Sequence, residues 1–486
     1  MTNTDMSSAP GHSAAGTSFA SLSRDSGESL IEQIVRLVTA RIEDKVWRSG
    51  ARMPSIRRFS EQYKVSRFTV VEAYDRLVAS GLLESRRGSG FYVRERTPIV
   101  PPSANTHAPA PRQLDVVWLV RNMFRQMPAQ KMPGAGSLPN EWLDSDLVAN
   151  ALRAVARQNH NLLQYGEPQG FLPLRQQLQL KLDELEIAAT PDQIVTTSGV
   201  TQALDLVARH LVRPGDTVFV DDPAWFLMFG SFAMLGANVI GIPRLPDGPD
   251  IARLAEMAAL HRPKLFVINS LLHNPTSTSL SAAKAFQVLK LAEQYDFTIV
   301  EDDIYCDMHP GPAVQPATRI ATLDQLQRVI YLGGFSKTLA ASLRVGFIAA
   351  APETARHLAD RKMLSTLTTT EMTERVAYRI LSEGHYRKHV DRLRGKLDAV
   401  RDRTVRQLER IGLRVDHHPP AGMFLWTDLG CDANTLTARA MEEGFLLAPG
   451  SLFSPSQLPS THMRFNIAAM ADPGILRFLE REISRS

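Results

Sequence analysis

Lys337 lies in Gly333-Gly334-Phe335-Ser336-Lys337-Thr338, seven residues before Arg344. Upstream, in order, come Trp225 after Asp221-Asp222-Pro223, then His273-Asn274-Pro275-Thr276, then Glu301-Asp302-Asp303-Ile304-Tyr305. Singly, these residues carry no message. Asp302 could cap a helix, Trp225 could fill a core, and Asn274-Pro275 could be a plain turn. Together they offer an amine that can form an imine, a carboxylate for a protonated ring nitrogen, and donors for a phenolate and a phosphate. That set meets the needs of pyridoxal phosphate, whose ring nitrogen must stay protonated if the ring is to act as an electron sink.

Such groups work only if a scaffold brings them to one place. From about Leu114 onward, short apolar runs alternate with helical stretches. The strand candidates are Ile194–Thr197, Val218–Asp221, Val239–Ile242, Leu265–Asn269, Thr298–Glu301, Val329–Leu332 and Val345–Ala349. This alternation predicts a mostly parallel sheet buried on both faces. Asp302, Asn274 and Lys337 each follow a predicted strand, at the edge where open α/β sheets bind ligands. Ser198-Gly199-Val200-Thr201 separates a strand from a helix, so its N–H groups suit a phosphate. From about Arg387 a long helix and shorter strands (Met423–Thr427, Phe445–Leu447, Met463–Ile467) predict a smaller α+β lobe.

The N-terminal segment has a different pattern. Ile31, Ile34, Val35, Val38 and Ile42 repeat at helical spacing. A second helix begins near Ser55, and Ser66 can cap a third whose buried face is Val70, Ala73, Tyr74 and Leu77, with Gly81 closing it. Leu82-Leu83-Glu84 and Phe91-Tyr92-Val93 flank Arg86-Arg87-Gly88-Ser89-Gly90, which reads as a hairpin with a basic tip. Helix, turn, helix and basic hairpin outline a winged helix, with the third helix entering a major groove through Ser66, Arg67, Phe68 and Thr69. Arg57, Arg58, Arg86 and Arg87 would then neutralise phosphates. A small interaction domain with a solvated basic face is the alternative.

Composition agrees with two modules. The 486 residues exceed one ordinary domain, with 44% hydrophobic and 22% charged side chains. Between Glu28 and Arg96 there are 14 Lys/Arg and 9 Asp/Glu, a net of +5 against +4 for the whole chain. The basic excess therefore sits in the first module and points to a polyanion. Cys306 and Cys431 are too few for a disulfide framework or a metal site, which implies a reducing compartment and no metal. No apolar run approaches the ~20 residues that span a bilayer. Residues 1–27 lack the apolar stretch of a secretory signal, so a cytoplasmic protein is expected. The resulting division is a disordered tail (1–27), a winged helix (28–96), a Pro-rich linker (97–113) and the large module (114–486). An irregular extension of the large module is the alternative for the linker.

Met53-Pro54-Ser55-Ile56-Arg57, Val65-Ser66-Arg67-Phe68-Thr69-Val70, Ala73-Tyr74-Asp75-Arg76-Leu77 and Arg87-Gly88-Ser89-Gly90-Phe91-Tyr92-Val93 resemble the GntR-type DNA-binding domain. That resemblance implies double-stranded operator DNA as a partner, contacted by Arg57, Ser66, Arg67, Thr69 and the wing around Gly88. Phe68 stands where small polar residues are commoner.

The large module resembles a fold type I aminotransferase, and the whole chain resembles the MocR (GabR-like) regulators. The resemblance implies that Lys337 forms the internal aldimine and Asp302 bonds the pyridine nitrogen. It also implies that Asn274 and Tyr305 meet the ring oxygen, Trp225 stacks on the ring, and Val200, Thr201, Ser336 and Arg344 hold the phosphate. Tyr165 in Tyr165-Gly166-Glu167-Pro168-Gln169-Gly170 would reach the phosphate of a neighbouring subunit, hence a homodimer, with domain swapping one form it could take. Arg464 in Met463-Arg464-Phe465-Asn466 matches the arginine that clamps a substrate carboxylate.

Two residues depart from the family pattern, Gly334 for a Ser or Thr and Ser277 for a Gly. The expected function is a regulator that senses an amine, amino acid or B6 vitamer. A working aminotransferase and a pseudo-enzyme without cofactor are the alternatives.

Overall fold

A computed structural model describes residues 22–23, 26–94, 121–122, 127–158, 163–311 and 318–484. Most of the expected tail and the whole expected linker lie outside these residues. The chain divides into two compact units, residues 1–110 and 111–486.

In the first unit, α1 (Leu30–Glu43) starts at a reciprocal cap. Ser29 Oγ accepts from the N–H of Glu32, and the Glu32 carboxylate accepts from the N–H of Ser29. Ser55 caps α2 (Ile56–Tyr63), and Ser66 caps α3 (Arg67–Ala79). Gly81, at φ +72°, ends α3 in the left-handed region, with Leu82 N–H donating to Leu77 O at 3.0 Å. Strands β1 (Leu83–Arg86) and β2 (Gly90–Val93) pair antiparallel in the register Leu83↔Val93 and Arg86↔Gly90. Ile34, Val38, Phe59, Val70, Tyr74, Leu77 and Leu83 form the core. The buried Tyr74 hydroxyl donates to Pro54 O at 3.1 Å.

In the second unit, eight strands form one sheet in the order β3-β10-β9-β8-β7-β4-β5-β6. They are β3 (Ile194–Thr197), β4 (Thr217–Asp222), β5 (Asn238–Leu245), β6 (Gly248–Pro249), β7 (Leu265–Ile268), β8 (Thr298–Asp302), β9 (Val329–Gly334) and β10 (Gly346–Ala349). Strands β5, β4, β7, β8 and β9 are mutually parallel. β10 runs antiparallel to both β9 and β3, so β3 points the same way as the parallel set. Strands β7, β9 and β10 are buried throughout, and so is β3 although it ends the sheet, because helices cover both faces.

The smaller lobe carries the helix His385–Arg410 and a four-stranded antiparallel sheet in the order β11-β12-β14-β13. Its strands are β11 (Arg414–Val415), β12 (Phe424–Asp428), β13 (Ala448–Pro449) and β14 (His462–Asn466). One expected strand is displaced. Phe445–Leu447 is not part of β13, because its backbone groups are already engaged. Phe445 N–H closes the preceding helix on Ala440 O, while Leu446 donates to Lys131 O and accepts from Gly134 N–H, each at 2.8 Å.

Candidate functional site

Parallel strands present their C-terminal ends on one edge, and the candidate groups of the second unit gather there. Asp302 is the last residue of β8, Lys337 follows β9, Asn274 follows β7, and Trp225 follows β4. Val200 and Thr201 open the helix Val200–Leu211 directly after β3. One cavity, about 740 Å³ counted to its open mouth, is lined by Lys337, Asp302, Tyr305, Asn274, Trp225, Val200, Thr201, Ser336 and Arg344.

At the mouth, the helix Val200–Leu211 begins at Gly199, at φ +81° and ψ 170°, with no capping side chain. The N–H groups of Val200 and Thr201 have no acceptor within the helix, whereas Gln202 and Ala203 donate to Gly199 O, and the helix dipole adds positive character there. Arg344 donates to Ser198 O at 2.8 Å and to Ser336 Oγ at 3.3 Å, which places its guanidinium against the same turn. A Cβ on Gly199 would lie 2.6 Å from the Arg344 guanidinium and would move it, and the φ of +81° itself favours glycine. The departure at Gly334 also has a physical reason. A Cβ there would lie 3.2–3.3 Å from Ile304, Gly346 and Val200, so a Ser or Thr would require these neighbours to give by a few tenths of an ångström.

Deeper in the cavity, Asn274 Nδ2 donates to the Tyr305 hydroxyl at 3.3 Å. Asn269 braces this corner. Its Oδ1 accepts from Asn274 N–H at 2.9 Å, and its Nδ2 donates to Asp302 O at 2.6 Å. Arg244 donates to Asp221 at 2.8 Å and to Asn269 O at 3.2 Å, tying the ends of β4, β5 and β7 together. Ser277 sits at φ +55°, and its hydroxyl donates to Phe424 O at 2.9 Å and accepts from Phe424 N–H at 3.2 Å. Where the family pattern has glycine, this chain fastens the turn to β12.

Burial sets the electrostatics. Asp302 is pushed up to about 7, chiefly because desolvation penalises its carboxylate. Lys337 is pushed down to about 8 by burial first and by the Arg464 charge second, with Asp302 opposing. Tyr305 is raised by burial. Arg464 is 1% exposed and held down to about 10 by burial. Its guanidinium lies 4.4 Å from the Phe424 ring centre and 4.8 Å from that of Phe453. Among the described residues its acceptors are neutral, Asn274 Oδ1 at 2.8 Å and Gly134 O at 2.6 Å.

The segment around Gly134 had no signal in the sequence. Two of its carbonyls bond side chains of the site, and the two others bond Asn466 beside it. Gly134 O takes Arg464, Gly136 O accepts from Lys337 Nζ at 2.7 Å, and the carbonyls of Ala135 and Ser137 both accept from Asn466 Nδ2. Asn269 and Arg244 were also missed, whereas Asp221 and His273 stood in the motifs without a role. Tyr165 is 80% exposed and does not line this cavity.

The residues present fit pyridoxal phosphate. A buried carboxylate of raised pKa needs a cationic partner, a lysine of lowered pKa is a ready nucleophile, and the glycine-shaped helix terminus is an anion cradle.

In the first unit, Arg67 opens α3 and has no hydrogen-bond or ion-pair partner among the described residues. The Ser66 hydroxyl caps Thr69 N–H at 3.0 Å and bonds the Thr69 hydroxyl at 2.7 Å, so both polar groups serve the helix start. Arg57 pairs with Glu61 at 2.9 Å. At the hairpin, Arg86 lies over the Tyr92 ring and pairs with Glu84, while Arg87 and Gly88 stand exposed at the tip.

Residues 134–481 match the model of the aminotransferase class I and II family. The chain belongs to that family. Residues 30–93 match bacterial regulatory proteins of the gntR family, and the two together place the chain among the MocR (GabR-like) regulators. It is 27% identical to the HTH-type transcriptional regulator YdfD of Bacillus subtilis over 90% of this chain and 93% of that protein. It is 28% identical to the probable rhizopine catabolism regulatory protein MocR of Rhizobium meliloti, covering 77% and 76%. The Pyrococcus horikoshii kynurenine aminotransferase, solved with PMP, superposes with a TM-score of 0.69 at 28% identity, covering 77% of this chain and 94% of that one. The cofactor of this fold is pyridoxal phosphate. Among the described residues, no helix is long and apolar enough to cross a membrane.

Proposed function

We propose that this chain is a DNA-binding transcriptional regulator whose operator affinity changes when an amine, amino acid or B6 vitamer enters its cofactor cavity. What supports this reading is that one chain joins a helix opening on Arg67, which has no side-chain partner among the described residues, to a cavity lined by Lys337, Asp302, Asn274, Tyr305 and Arg344. The cofactor supplies an aldehyde that condenses with primary amines and a ring that withdraws electrons.

In this reading Lys337 is the amine that anchors the cofactor. Asp302 holds a proton on the ring nitrogen, Tyr305 and Asn274 orient the ring oxygen, and Trp225 covers the ring face. Val200 and Thr201 N–H, Ser336 and Arg344 bind the phosphate. Arg464 selects ligands that bear a carboxylate, since a desolvated guanidinium without an anion favours bidentate pairing. Tyr165 serves a second copy, so the working unit is a homodimer. Arg57, Ser66, Arg67, Thr69, Arg86, Arg87 and Gly88 form the DNA face. Coupling requires that the ligand bind two states of the dimer with different affinity.

A spectral titration of the holo-protein with amines, amino acids and B6 vitamers, run alongside operator binding, tests the proposal. A ligand that shifts both is expected. Spectral change that never alters DNA affinity would sink the sensor. The second reading, a turning-over aminotransferase, is favoured by the retained Arg464. Multiple turnover in a steady-state assay, combined with no sequence-selective DNA binding, would establish it instead.

A further inference from the structure

We propose that Phe68 reads the C5-methyl group of a thymine in the major groove, which makes it a base-specificity residue of the operator complex. This rests on the DNA-binding reading above and deepens it. Phe68 is the second residue of α3 and is 75% exposed. Among the described residues of its unit, Val46 is the other large apolar side chain with comparable exposure. Stepping along the helix from the buried set Val70, Ala73, Tyr74 and Leu77 puts Phe68 on the opposite face, where the core cannot use it.

Its neighbours set the chemistry of whatever it meets. Ser66 and Thr69 hydroxyls are bonded to each other, so Arg67 and Phe68 are the exposed side chains of the first turn that no such bond engages. Arg57, Arg58, Arg86 and Arg87 are exposed on the same unit, which suits a phosphate backbone around the contact. Further along the outer face come Glu72, paired with Arg76, and Asp75, which phosphates repel. Only the first turn is therefore suited to the groove. A phenyl ring offers no hydrogen bond to a base edge. What it can recognise there is the one apolar feature of the major groove, the thymine methyl.

The test uses the full-length holo-protein and a pool of duplexes with a randomised centre. The parent is expected to enrich sequences with at least one fixed thymine. Replacing that thymine by deoxyuridine, which removes only the methyl, should weaken parent binding roughly fourfold. Phe68→Ser should lose the preference and respond equally to both bases, with an unchanged melting temperature. Phe68→Leu, which keeps an apolar contact, should retain part of the response. If Phe68→Ser keeps the same thymine preference, or if the parent is indifferent to deoxyuridine at every fixed thymine, the inference falls while DNA binding stands. If the parent enriches no sequence, the DNA-binding reading itself falls.

Discussion

Lys337 and Asp302 share one low-dielectric cavity, and it moves them in opposite directions. With its amine near 8 instead of 10.5, roughly a tenth of Lys337 is neutral at pH 7. Only the neutral amine attacks an aldehyde, so capture of added cofactor by the apoprotein should accelerate from pH 6.5 to about 8 and level off above it. Stopped-flow absorbance measures this. A flat profile would mean that another group limits capture, and Lys337→Ala should show no borohydride-stable label.

Asp302 carries the opposite sign. Its folded pKa, about 7, lies above the 3.8 of a free carboxyl, so the folded apoprotein binds that proton more tightly than the unfolded chain. Its contribution to stability is therefore lost as pH rises from about 4 towards 7. Asp302→Asn apoprotein should melt higher than the parent at pH 8 yet hold cofactor roughly tenfold or more weakly. Equal melting temperatures would contradict the burial argument.

At the scale of elements, the helix beginning at Val200 and the turn before it act as one anion cradle. Gly199→Ala combines a disfavoured φ with a 2.6 Å approach to Arg344, so it should weaken phosphate binding far more than it disturbs the distant core. Equilibrium dialysis with pyridoxal phosphate decides this, and unchanged affinity would show that the turn can shift. In the recognition module, Arg67→Ala should abolish selective DNA binding without altering cofactor absorbance. Arg87→Ala should lower the salt slope by about one and weaken all sequences alike.

The sequence signalled these elements unevenly. Runs such as Leu265–Asn269 and Val329–Leu332 announced buried strands through their apolar character, Ser66 marked a helix start through capping chemistry and Ser55 lay at another, whereas the reciprocal cap at Ser29 was not read. Asp302, Asn274 and Lys337 were legible because each follows such a run. Gly134 to Ser137 were not, since they act through backbone carbonyls, which no side chain advertises. Arg244 was equally silent, because its partner Asp221 lies on another strand. Leu446 misled for a related reason. Its apolar character is genuine, but a segment more than 300 residues earlier takes its hydrogen bonds.

For the whole molecule, the exposed Tyr165 makes a prediction about assembly. Sedimentation should show a dimer at micromolar concentration, and Tyr165→Phe should weaken cofactor retention without changing the melting temperature of the apoprotein. A monomeric holo-protein that keeps its cofactor would refute the shared site.

The run of bonded carbonyls from Gly134 to Ser137 has a consequence for signalling. Cofactor capture withdraws the ammonium that Gly136 O holds, and a carboxylate on Arg464 competes with Gly134 O for the same guanidinium. Chemical occupancy is thereby converted into slack or tension in a short peptide. The same short peptide therefore answers to both the amine end and the carboxylate end of a bound ligand. Amide deuterium uptake across residues 132–138 should change on ligand addition before any change in the sheet strands. Uptake that stays constant there while operator affinity changes would send the signal by another route.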